Sequence, residues 1–477
     1  MLRELVVQND KFIWQESVFE KQDFLTKEFY TYSDSVVDKY KVDTILENEL
    51  FYTFIQPVLA LEQFLNDKEI ERVVVRDSSL ETYYIVIAAC ENLNVQYSLR
   101  GSILILKMKQ AVRNIVLWVA SVAYLFLHIL STPYTGSIKV RNKVFSIIRL
   151  QQTVSKMRGL LNRDDISFDY ENIQNTLSKN KEIVKDGTVY HRFKRRERAL
   201  WLFRATTNSL KELNLIEQFL AERVHKSTGK AARDFYSVRM VHTMFFGEML
   251  EAYFSNYEGC KYITGNIIDR YAMTEAKVAK KHDIEIYTIP HGIEYGFKLP
   301  YGLVGDIFYT TSEYAATFFN EQYKTKKFVF SQDVAEMMFN YGNSDLTKEK
   351  KVVFFSEAHE IEVNKAIIKG LYEGLESVGV KLYVKLHPRE NKMDYMDLDT
   401  QRFEFIDSFE HAIKNNVCIS RRSTTLVEAL YNNSISLAIL LNANDAAVFY
   451  NYPSLLDDKI SRHFTIDALI ERIKSEI

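Results

Sequence analysis

Residues suited to binding an anion stand where a predicted strand ends in the stretch "VKLHPRE". An apolar run meets His387 and Pro388 there, with Lys385 before them and Arg389 after them. Proline cannot extend a strand ladder, so the strand should end and leave the histidine at its carboxyl edge, where open α/β sheets bind ligands. Lys385, His387 and Arg389 share one strand parity and would point to one side if the extended conformation continued past Pro388. Two cations and an imidazole on one side would suit a phosphate.

A second polar concentration is "SRRSTTLVEAL", residues 420–430. Thr425 and Glu428 fit the S/T-x-x-E capping box, which predicts that a helix begins at Thr425 with its free amides toward the preceding loop. The helix dipole favours an anion at that end. The residues that crowd it are Ser420, Arg421, Ser423 and Thr424. In the alternative interpretation the hydroxyls merely cap the helix, which leaves Arg421 and Arg422 unexplained.

The third concentration is "TIPHGIEYGFKLP", in which His291 and Gly292 close a predicted strand and Glu294 follows in a loop. Rigid loops that contain glycine at a sheet edge are typical of ligand clefts in such folds. Two further carboxylates, Asp77 after "VVVR" and Asp269 after "TGNII", could reach the same cleft. Either of them could instead cap the helix that follows.

Several function classes are excluded by spacing and composition. The segment "VHKSTGK" has Val224 where a phosphate-binding loop needs its first glycine, no G-x-G-x-x-G occurs, and "HEIEV" lacks the second histidine of a zinc helix. A balance of 61 basic and 63 acidic residues argues against a whole-protein nucleic-acid binder. Cys90, Cys260 and Cys418 match no metal or redox spacing and suit a reducing cytosol.

The elements that must position these residues alternate between strand and helix. A β-α-β pattern begins at "ERVVVRD", returns over residues 260–290, and continues in "GDIFYTTSEYAATFFNEQY"; a second series begins at Lys351. Such alternation predicts parallel sheets covered by helices. The polar stretch "NYGNSDLTKEKK" is a candidate interdomain linker. The predicted fold class is therefore α/β, with two Rossmann-like domains facing a cleft.

The predicted domain boundaries follow from these patterns. Residues 1–104 and 236–340 form an N-terminal domain, residues 105–235 a helical insertion in it, and residues 345–477 a C-terminal domain.

The predicted insertion contains two stretches that could meet a membrane. The apolar run 115–130 is flanked by cations at Lys107, Lys109, Arg113, Lys139 and Arg141. Its 16 residues span roughly 24 Å as a helix and fall short of the roughly 20 apolar residues needed to cross a bilayer. A buried core or packing helix, an interfacial helix and a membrane span all stay open, in that order. The stretch 190–204 interleaves cations with Phe193, Trp201 and Phe203, which suits an anionic lipid surface or, alternatively, a helix that packs its aromatic side chains inward.

The motifs "VKLHPRE" and "CISRRSTTLVEALYNNSISLAILL" resemble the paired nucleotide-binding motifs of bacterial GT-B glycosyltransferases that build surface polysaccharides, namely the His-Pro sialyltransferases and the capsule Kdo transferases. The stretch "IYTIPHGI" is similar to the "HG" strand end in the acceptor-side half of such enzymes. The resemblance covers residues 260–477 approximately and rests on short motifs.

This resemblance implies a CMP-activated sugar donor of the sialic acid or Kdo type, held by the C-terminal domain. His387 would contact the phosphate of the leaving nucleotide, with Ser423 and Thr424 completing the pocket. The expected donor-binding set is Ser356, Glu357, Lys385, His387, Pro388, Arg389, Ser420, Arg421, Ser423, Thr424, Thr425 and Glu428. Members of this kind need no metal for the chemistry and no cofactor beyond the nucleotide sugar.

A carboxylate would deprotonate the acceptor hydroxyl. The sialyltransferases carry an acidic-acidic-glycine motif that this chain lacks, so the candidates for the base are Glu294, Asp269 and Asp77, in that order. His291, Gly292 and Glu294 would form the acceptor-side loop.

The expected protein is thus a cytoplasmic glycosyltransferase of capsule or lipopolysaccharide synthesis that acts on a glycan or lipid-linked acceptor. A further expectation is peripheral contact with the inner face of the cytoplasmic membrane through residues 107–141 and 190–204. Three alternatives stay open: a CDP-glycerol or polyol-phosphate transferase, a UDP-sugar GT-B enzyme such as an epimerase, and a non-catalytic subunit that binds nucleotide or glycan.

Overall fold

The computed structural model describes residues 3–20, 51–101, 103–138, 140, 142–149, 163–171, 188–265, 271–290, 292, 305–342, 350–358, 360–377 and 379–477. These residues form two compact units. The first takes its described residues from 1–150, 164–288 and 297–306, and the second takes them from 151–163, 289–296 and 307–477.

A mixed five-stranded sheet opens the first unit. Its strands are β1 (Glu4–Gln8), β2 (Lys11–Trp14), β3 (Ser17–Glu20), β4 (Arg72–Arg76) and β5 (Gln96–Arg100), in the order β3-β2-β1-β4-β5. β1, β2 and β3 pair in antiparallel fashion, whereas β4 lies parallel to both β1 and β5. Helices α1 (Gln56–Asp67) and α2 (Leu80–Leu93) accompany it, and a π-helix, Phe51–Ile55, precedes α1. The predicted unit β4-α2-β5 is confirmed, because the apolar run "VVV" is buried between flanking helices.

The long helices of the first unit surround an aromatic core. They are α3 (Ile103–Ser131), α4 (Arg195–Arg223), α5 (Lys226–Tyr236) and α6 (Met240–Phe254), and a 3-10 turn, Val189–Arg192, precedes α4. In the stretch 190–204, Phe193 and Trp201 are buried edge to face with ring centroids 4.8 Å apart, and only Phe203 is exposed, at 66%. The interpretation of all three aromatics as membrane contacts is therefore wrong, because two of them fill the core.

A parallel sheet also belongs to the first unit. Its strands β6 (Val144–Ile148), β7 (Ile166–Tyr170), β8 (Lys261–Thr264) and β9 (Glu285–Thr288) run in the order β7-β6-β8-β9, with α7 (Ala272–Lys281) between β8 and β9. The predicted pattern at 260–290 is confirmed. The segment 105–235 contains helices as predicted, but it also supplies β6 and β7, so it is not wholly helical. "VFSII" and "ISFDY" have the β-branched and aromatic residues that favour strands.

The second unit begins with β10 (Ile307–Thr310), α8 (Glu313–Tyr323), β11 (Phe328–Phe330) and α9 (Gln332–Phe339), and β10 pairs in parallel with β11. Its main sheet consists of β12 (Val352–Phe355), β13 (Leu382–Lys385), β14 (Phe403–Phe405), β15 (Val417–Ser420), β16 (Ile435–Ile439) and β17 (Ile460–His463). The helices of this part are α10 (Ile361–Glu376), α11 (Phe409–Ile413), α12 (Thr425–Leu430), α13 (Ala443–Tyr450) and α14 (Ile466–Lys474), and 3-10 turns lie at Lys392–Tyr395 and Pro453–Leu456.

All six strands of this main sheet are parallel, in the order β14-β13-β12-β15-β16-β17. Both faces are covered: Val352 and Phe354 pack into the core beneath α10, whereas Val353 and Phe355 pack on the opposite face near α11. Numbered from β12, the order is that of a doubly wound Rossmann sheet, 3-2-1-4-5-6. The predicted fold class of two Rossmann-like α/β domains is confirmed. The domain boundaries stay a prediction, and residues 343–349 of the proposed linker lie outside the described residues.

Candidate functional site

The carboxyl edge of the main sheet in the second unit has a topological switch point between β12 and β15. On either side of these neighbours the strand order runs in opposite directions, which opens a crevice that binds ligands in such folds. Ser356 and Glu357 follow β12, the 420–425 loop follows β15, and His387 follows β13 on the other side of β12. Neighbouring strands are about 4.8 Å apart, so the ends of β13 and β15 are separated by roughly 10 Å. The two predicted phosphate-binding stretches therefore share one edge.

Directly after β13, the chain makes a tight turn. The amide of Glu390 donates to the carbonyl of His387 at 2.9 Å, which closes a turn with Pro388 in its second position, where proline is favoured. Extended conformation therefore stops at this point. The condition on which Lys385, His387 and Arg389 would point to one side is therefore not met, because Arg389 lies inside the turn.

The same turn fixes the imidazole of His387. The amide of Arg389 donates to Nδ1 of His387 at 3.2 Å, so Nδ1 acts as an acceptor. In that tautomer the ring is neutral and Nε2 carries the proton. His387 is half-buried at the sheet edge. The Arg389 amide therefore fixes the orientation of the ring relative to the turn.

Glu390 holds this turn in place and was not among the predicted site residues. Its Oε2 accepts from the amide of His387 at 3.0 Å and from the Ser356 hydroxyl. Its Oε1 accepts from the Asn364 amide at 3.1 Å and from the Tyr395 hydroxyl. One carboxylate thus connects the ends of β12 and β13 to α10. Burial and then the hydrogen bond to Glu390 raise the pKa of Tyr395, so this phenol stays protonated as a donor.

The two arginines of "SRR" are held by carboxylates of the same unit. Arg421 is fully buried, and its Nε lies 3.0 and 3.1 Å from the two carboxylate oxygens of Asp445; it also pairs with Glu360. Arg422 donates from Nε to Glu357 at 2.9 Å and from its backbone amide at 2.7 Å. These pairs tie the loop after β15 to the loop after β12 and to α13. These ion pairs account for both arginines of the loop, and no ligand has to be invoked.

The pKa values of this cluster shift in the directions expected of ion pairs. Burial alone would raise the pKa of Glu360, but the hydrogen bond and charge of Arg421 lower it below its usual value. Burial alone would lower the pKa of Arg421, but Asp445 and Glu360 raise it above its usual value. Glu360 and Arg421 are therefore charged at neutral pH, and the acidic partners lie beside the guanidinium groups.

The Ser-Thr loop begins helix α12 in a different way from the prediction. The helix starts at Thr425 as predicted, but Thr424 occupies the N-cap and makes no side-chain cap hydrogen bond. Oγ of Ser423 accepts from the Thr425 amide at 3.2 Å, and Glu428 accepts from the Tyr341 hydroxyl at 2.8 Å. The capping box on Thr425 and Glu428 is therefore wrong. Glu428 is directed to a tertiary partner that local sequence cannot reveal.

One further hydroxyl, that of Ser420, is also committed within the sheet. It is buried and donates to the carbonyl of Phe355 at 3.0 Å, which links β15 to β12. Thr424 instead meets the third predicted stretch: a Cβ built on Gly292 would lie 3.5 Å from its hydroxyl oxygen. The loop after β15 and the residue after "TIPH" are therefore neighbours in the second unit, and a side chain at Gly292 would fill the space beside Thr424.

The predicted catalytic carboxylates are only partly visible. Asp269 and Glu294, together with His291, lie outside the described residues. Asp77 is exposed after β4 in a left-handed backbone conformation with φ of 43°, and Ser79 rather than Asp77 caps α2. No chemistry is assigned to Asp77 by this geometry, and its role as a base stays a prediction.

A buried ion pair in the first unit was missed entirely. Arg149, directly after β6, lies 3.0 Å from Glu275 of α7, and Thr264 at the end of β8 donates to the same carboxylate at 2.9 Å. The Arg149 guanidinium also lies over the Phe246 ring at 5.0 Å and over the Tyr271 ring at 5.2 Å. β6 and β8 flank the point where the order β7-β6-β8-β9 reverses. A single arginine after an apolar run gave no sequence signal for this pair.

In the part of the chain that the structure describes, no group of three or more histidine, cysteine, aspartate and glutamate side chains is arranged to hold a metal ion. Cys90, Cys260 and Cys418 are free thiols, and burial raises the pKa of Cys90 and of Cys418 to about 12. These two thiols are therefore poor metal ligands and poor nucleophiles at neutral pH.

No protein-family model matches the chain, and no curated protein sequence matches it significantly. Solved structures with some likeness include UDP-GlcNAc 2-epimerase from Methanocaldococcus jannaschii in complex with UDP-GlcNAc and UDP, at 11% identity and a TM-score of 0.36, over 70% of this chain and 92% of that chain. The UDP-N-acetylglucosamine 2-epimerase from Rickettsia bellii has 13% identity and a TM-score of 0.38, over 70% and 86% of the two chains. The glycosyltransferase of kitacinnamycin has 8% identity and a TM-score of 0.39, over 70% and 90%.

A likeness at these TM-scores and identities identifies neither a family nor an activity. The two α/β domains are established by the strand order and pairing of this chain itself.

Proposed function

We propose that this chain is a GT-B glycosyltransferase whose second unit binds the phosphate of a nucleotide-sugar donor at His387. The observation that carries the proposal is the His387–Glu390 turn at the carboxyl edge of the main sheet. The Glu390 carboxylate accepts from the His387 amide and so fixes the backbone of the turn, and the Arg389 amide sets the tautomer of the His387 imidazole. A turn held so firmly supplies a preorganised donor at a position where doubly wound sheets bind nucleotides.

In the proposed reaction, the acceptor hydroxyl oxygen attacks the anomeric carbon of the donor sugar. The bond from that carbon to the phosphate oxygen breaks, and the leaving nucleotide keeps the electron pair. His387 Nε2–H and the hydroxyls of Ser423 and Thr424 would donate to the phosphate as its charge grows. A carboxylate takes the acceptor proton, and Glu294, Asp269 and Asp77 are the proposed candidates.

The finer assignment rests on the motif resemblance. "VKLHPRE" and "CISRRSTT" support a CMP-linked donor of the sialic acid or Kdo type and a role in bacterial surface polysaccharide synthesis. We propose accordingly that the transfer needs no metal and that the enzyme works in the cytoplasm on a glycan or lipid-linked acceptor.

A nucleotide screen tests this proposal. The thermal unfolding of the purified chain would be followed with CMP, CDP, UDP and GDP, for the wild type and for His387→Ala. A ligand that binds the native state stabilises it by about 2.7 kcal/mol at a hundredfold excess over its Kd. We expect a shift with CMP that is lost in His387→Ala and kept in a control, His411→Ala, which removes an exposed histidine from α11 of the same unit.

The other outcomes separate the alternatives. A shift with UDP alone would favour a UDP-sugar transferase or epimerase, and a shift with CDP alone would favour a polyol-phosphate transferase. A CMP shift combined with unchanged cellular function after replacement of each candidate carboxylate would favour a non-catalytic subunit. The absence of any shift would overturn the donor site at His387.

A further inference from the structure

Helix α3 presents a long apolar face to the outside of the first unit. It has 29 residues, far more than the 16 of the apolar run seen in the sequence, and it is long and apolar enough to cross a membrane. Its outward side chains include Leu104 at 70% exposure and Ile115 at 66%. The others on this face are Met108, Val112, Val119, Phe126, Leu127 and Leu130. The helix is not a buried core helix, because only 22% of its apolar window is buried.

The opposite face of α3 is seated on its own unit along its length. Trp118, Val122 and Tyr124 pack against the aromatic core, and the Ser121 hydroxyl donates to the Val238 carbonyl at 3.2 Å. The polar side chains on this side are buried as well, and His128 meets the Tyr190 ring edge to face with centroids 5.0 Å apart. The exposed apolar face and the packed face thus lie on opposite sides of α3 along its whole length.

A helix packed in this way is unsuited to crossing a bilayer. The neighbouring helix α4 exposes charged side chains at Arg195, Arg196 and Arg204, and charges inside the hydrocarbon are costly. Removing α3 from its seat would expose the core residues Leu125 and Ile129. An orientation in the plane of the membrane surface avoids both costs, because only the outward face enters the lipid.

Cations stand at the edge of the apolar face. Lys109 and Arg113 are one turn apart and both exposed, and with Ile105, Met108 and Val112 they line a surface depression of about 480 Å³. Basic and apolar side chains thus lie next to each other on the exposed side of α3. Although the whole chain carries a net charge of −2, this end of α3 is basic. The charge complementarity favours an anionic lipid surface over a neutral one.

We propose that α3 lies in the plane of an anionic membrane, with the apolar face of Leu104, Met108, Ile115, Val119 and Leu130 in the acyl region and Lys109 and Arg113 at the lipid phosphates. This inference goes beyond the proposed glycosyltransfer and needs no nucleotide for its test. The expected membrane contact is thereby narrowed to one helix in one orientation. The buried aromatic side chains of the 190–204 stretch take no part in that contact.

Sedimentation with lipid vesicles tests the surface. We expect the full chain to bind vesicles containing 30 mol% phosphatidylglycerol, and Ile115→Asp/Val119→Asp to lose that binding. The matched control is Leu210→Asp/Leu215→Asp, which places the same charges on exposed leucines of α4 and should bind like the wild type. Lys109→Gln/Arg113→Gln should weaken binding to anionic vesicles roughly 30-fold, since each cation near such a surface contributes about 1 kcal/mol, and should leave weak binding to neutral phosphatidylcholine unchanged.

Labelling with a depth-sensitive fluorophore tests the orientation. Single substitutions Met108→Cys, Val119→Cys and Leu130→Cys would carry the label, with Cys260, the native thiol that is not fully buried, replaced by serine. An in-plane helix places all three labels at similar, shallow depth and leaves all three open to a quencher added outside the vesicles. A deep label at Val119→Cys, with one end protected, would show a crossing helix and overturn the orientation. Failure to bind anionic vesicles, or an equal loss of binding in the α4 control, would overturn the assignment of the α3 face as the membrane-binding surface. Concentration-dependent dimerisation that Ile115→Asp/Val119→Asp abolishes would also overturn it, because a second copy of the chain would then cover this face.

Discussion

The second unit has two loops that bring nitrogen donors to the same sheet edge, and they differ in the partners that hold those donors. At the His387 turn, the Glu390 carboxylate accepts hydrogen bonds from a backbone amide and from neutral side chains, and the imidazole of His387 accepts one from the Arg389 amide. At the Arg421 loop, three carboxylates take up the guanidinium groups. Residue type at a strand end therefore does not identify a ligand site. The partners that the fold supplies decide whether a basic side chain stabilises the fold or binds a ligand.

The largest expected effect comes from removing the buried arginine. Arg421→Ala would remove the closest partner of Asp445, which is fully buried and also lies 3.6 Å from Arg422, and breaking a buried ion pair costs about 3–5 kcal/mol. Urea denaturation should therefore show the second unit strongly destabilised. Arg422→Ala is the comparison variant, because the Arg422 side chain is 14% exposed against 0% for Arg421, so we expect a smaller loss of stability. Equal and small losses in both variants would break the comparison.

A buried histidine extends the comparison to pH. Burial and then the charge of Arg198 lower the pKa of His128 from 6.5 to about 4. Between these values the unfolded chain binds a proton that the folded chain does not, so stability is lost as pH falls from 6.5 to 4, by about 3 kcal/mol in total. Denaturation at pH 7 and pH 5 should show about 2 kcal/mol of this loss.

His128→Phe should flatten that pH dependence, because it keeps the ring contact with Tyr190 and removes the titrating group. An unchanged slope in this variant would contradict a neutral, desolvated His128.

Loss of Glu390 should have an intermediate effect. Glu390→Ala leaves the Tyr395 hydroxyl, the Asn364 amide and the Ser356 hydroxyl without this acceptor, which costs about 1–3 kcal/mol. Because Glu390 acts through the backbone of His387, nucleotide binding should weaken too. Glu390→Asp, which keeps the charge on a shorter side chain, should recover part of the stability, and an intact nucleotide affinity in Glu390→Ala would contradict a positioning role.

Stability should change least in His387→Ala. The imidazole is half-buried at the edge and accepts a hydrogen bond from the Arg389 amide, so the expected change is within about 1 kcal/mol. A loss of more than about 2 kcal/mol in urea denaturation would place His387 among the structural residues instead.

The sequence predicted the parts of this architecture that depend on local pattern. Alternating strands and helices in the second unit follow from apolar periodicity, and Pro388 ended β13 where predicted. Strands β6 and β7 were not predicted, because each has only five residues within a segment dominated by long helices.

The partners of the site residues could not be predicted, because they are distant in sequence. Arg421 meets Asp445 across 24 residues and Glu360 across 61, and Glu428 meets Tyr341 across 87. Only the folded sheet brings them together. The turn at Pro388 is a different case: proline at the second position was a local signal for it, but the shared parity of Lys385 and Arg389 suggested an extended chain.

The most direct test of the comparison is the calorimetric Kd of the nucleotide that gives the largest thermal shift, measured for the wild type, His387→Ala and Arg422→Ala. A hydrogen bond to a charged group contributes about 1.5–3 kcal/mol, so His387→Ala should weaken binding by roughly 10- to 150-fold. Arg422→Ala should stay within roughly threefold of the wild type, because its guanidinium already serves Glu357. Affinity lost in Arg422→Ala and kept in His387→Ala would contradict the account and move the phosphate site to the arginine loop.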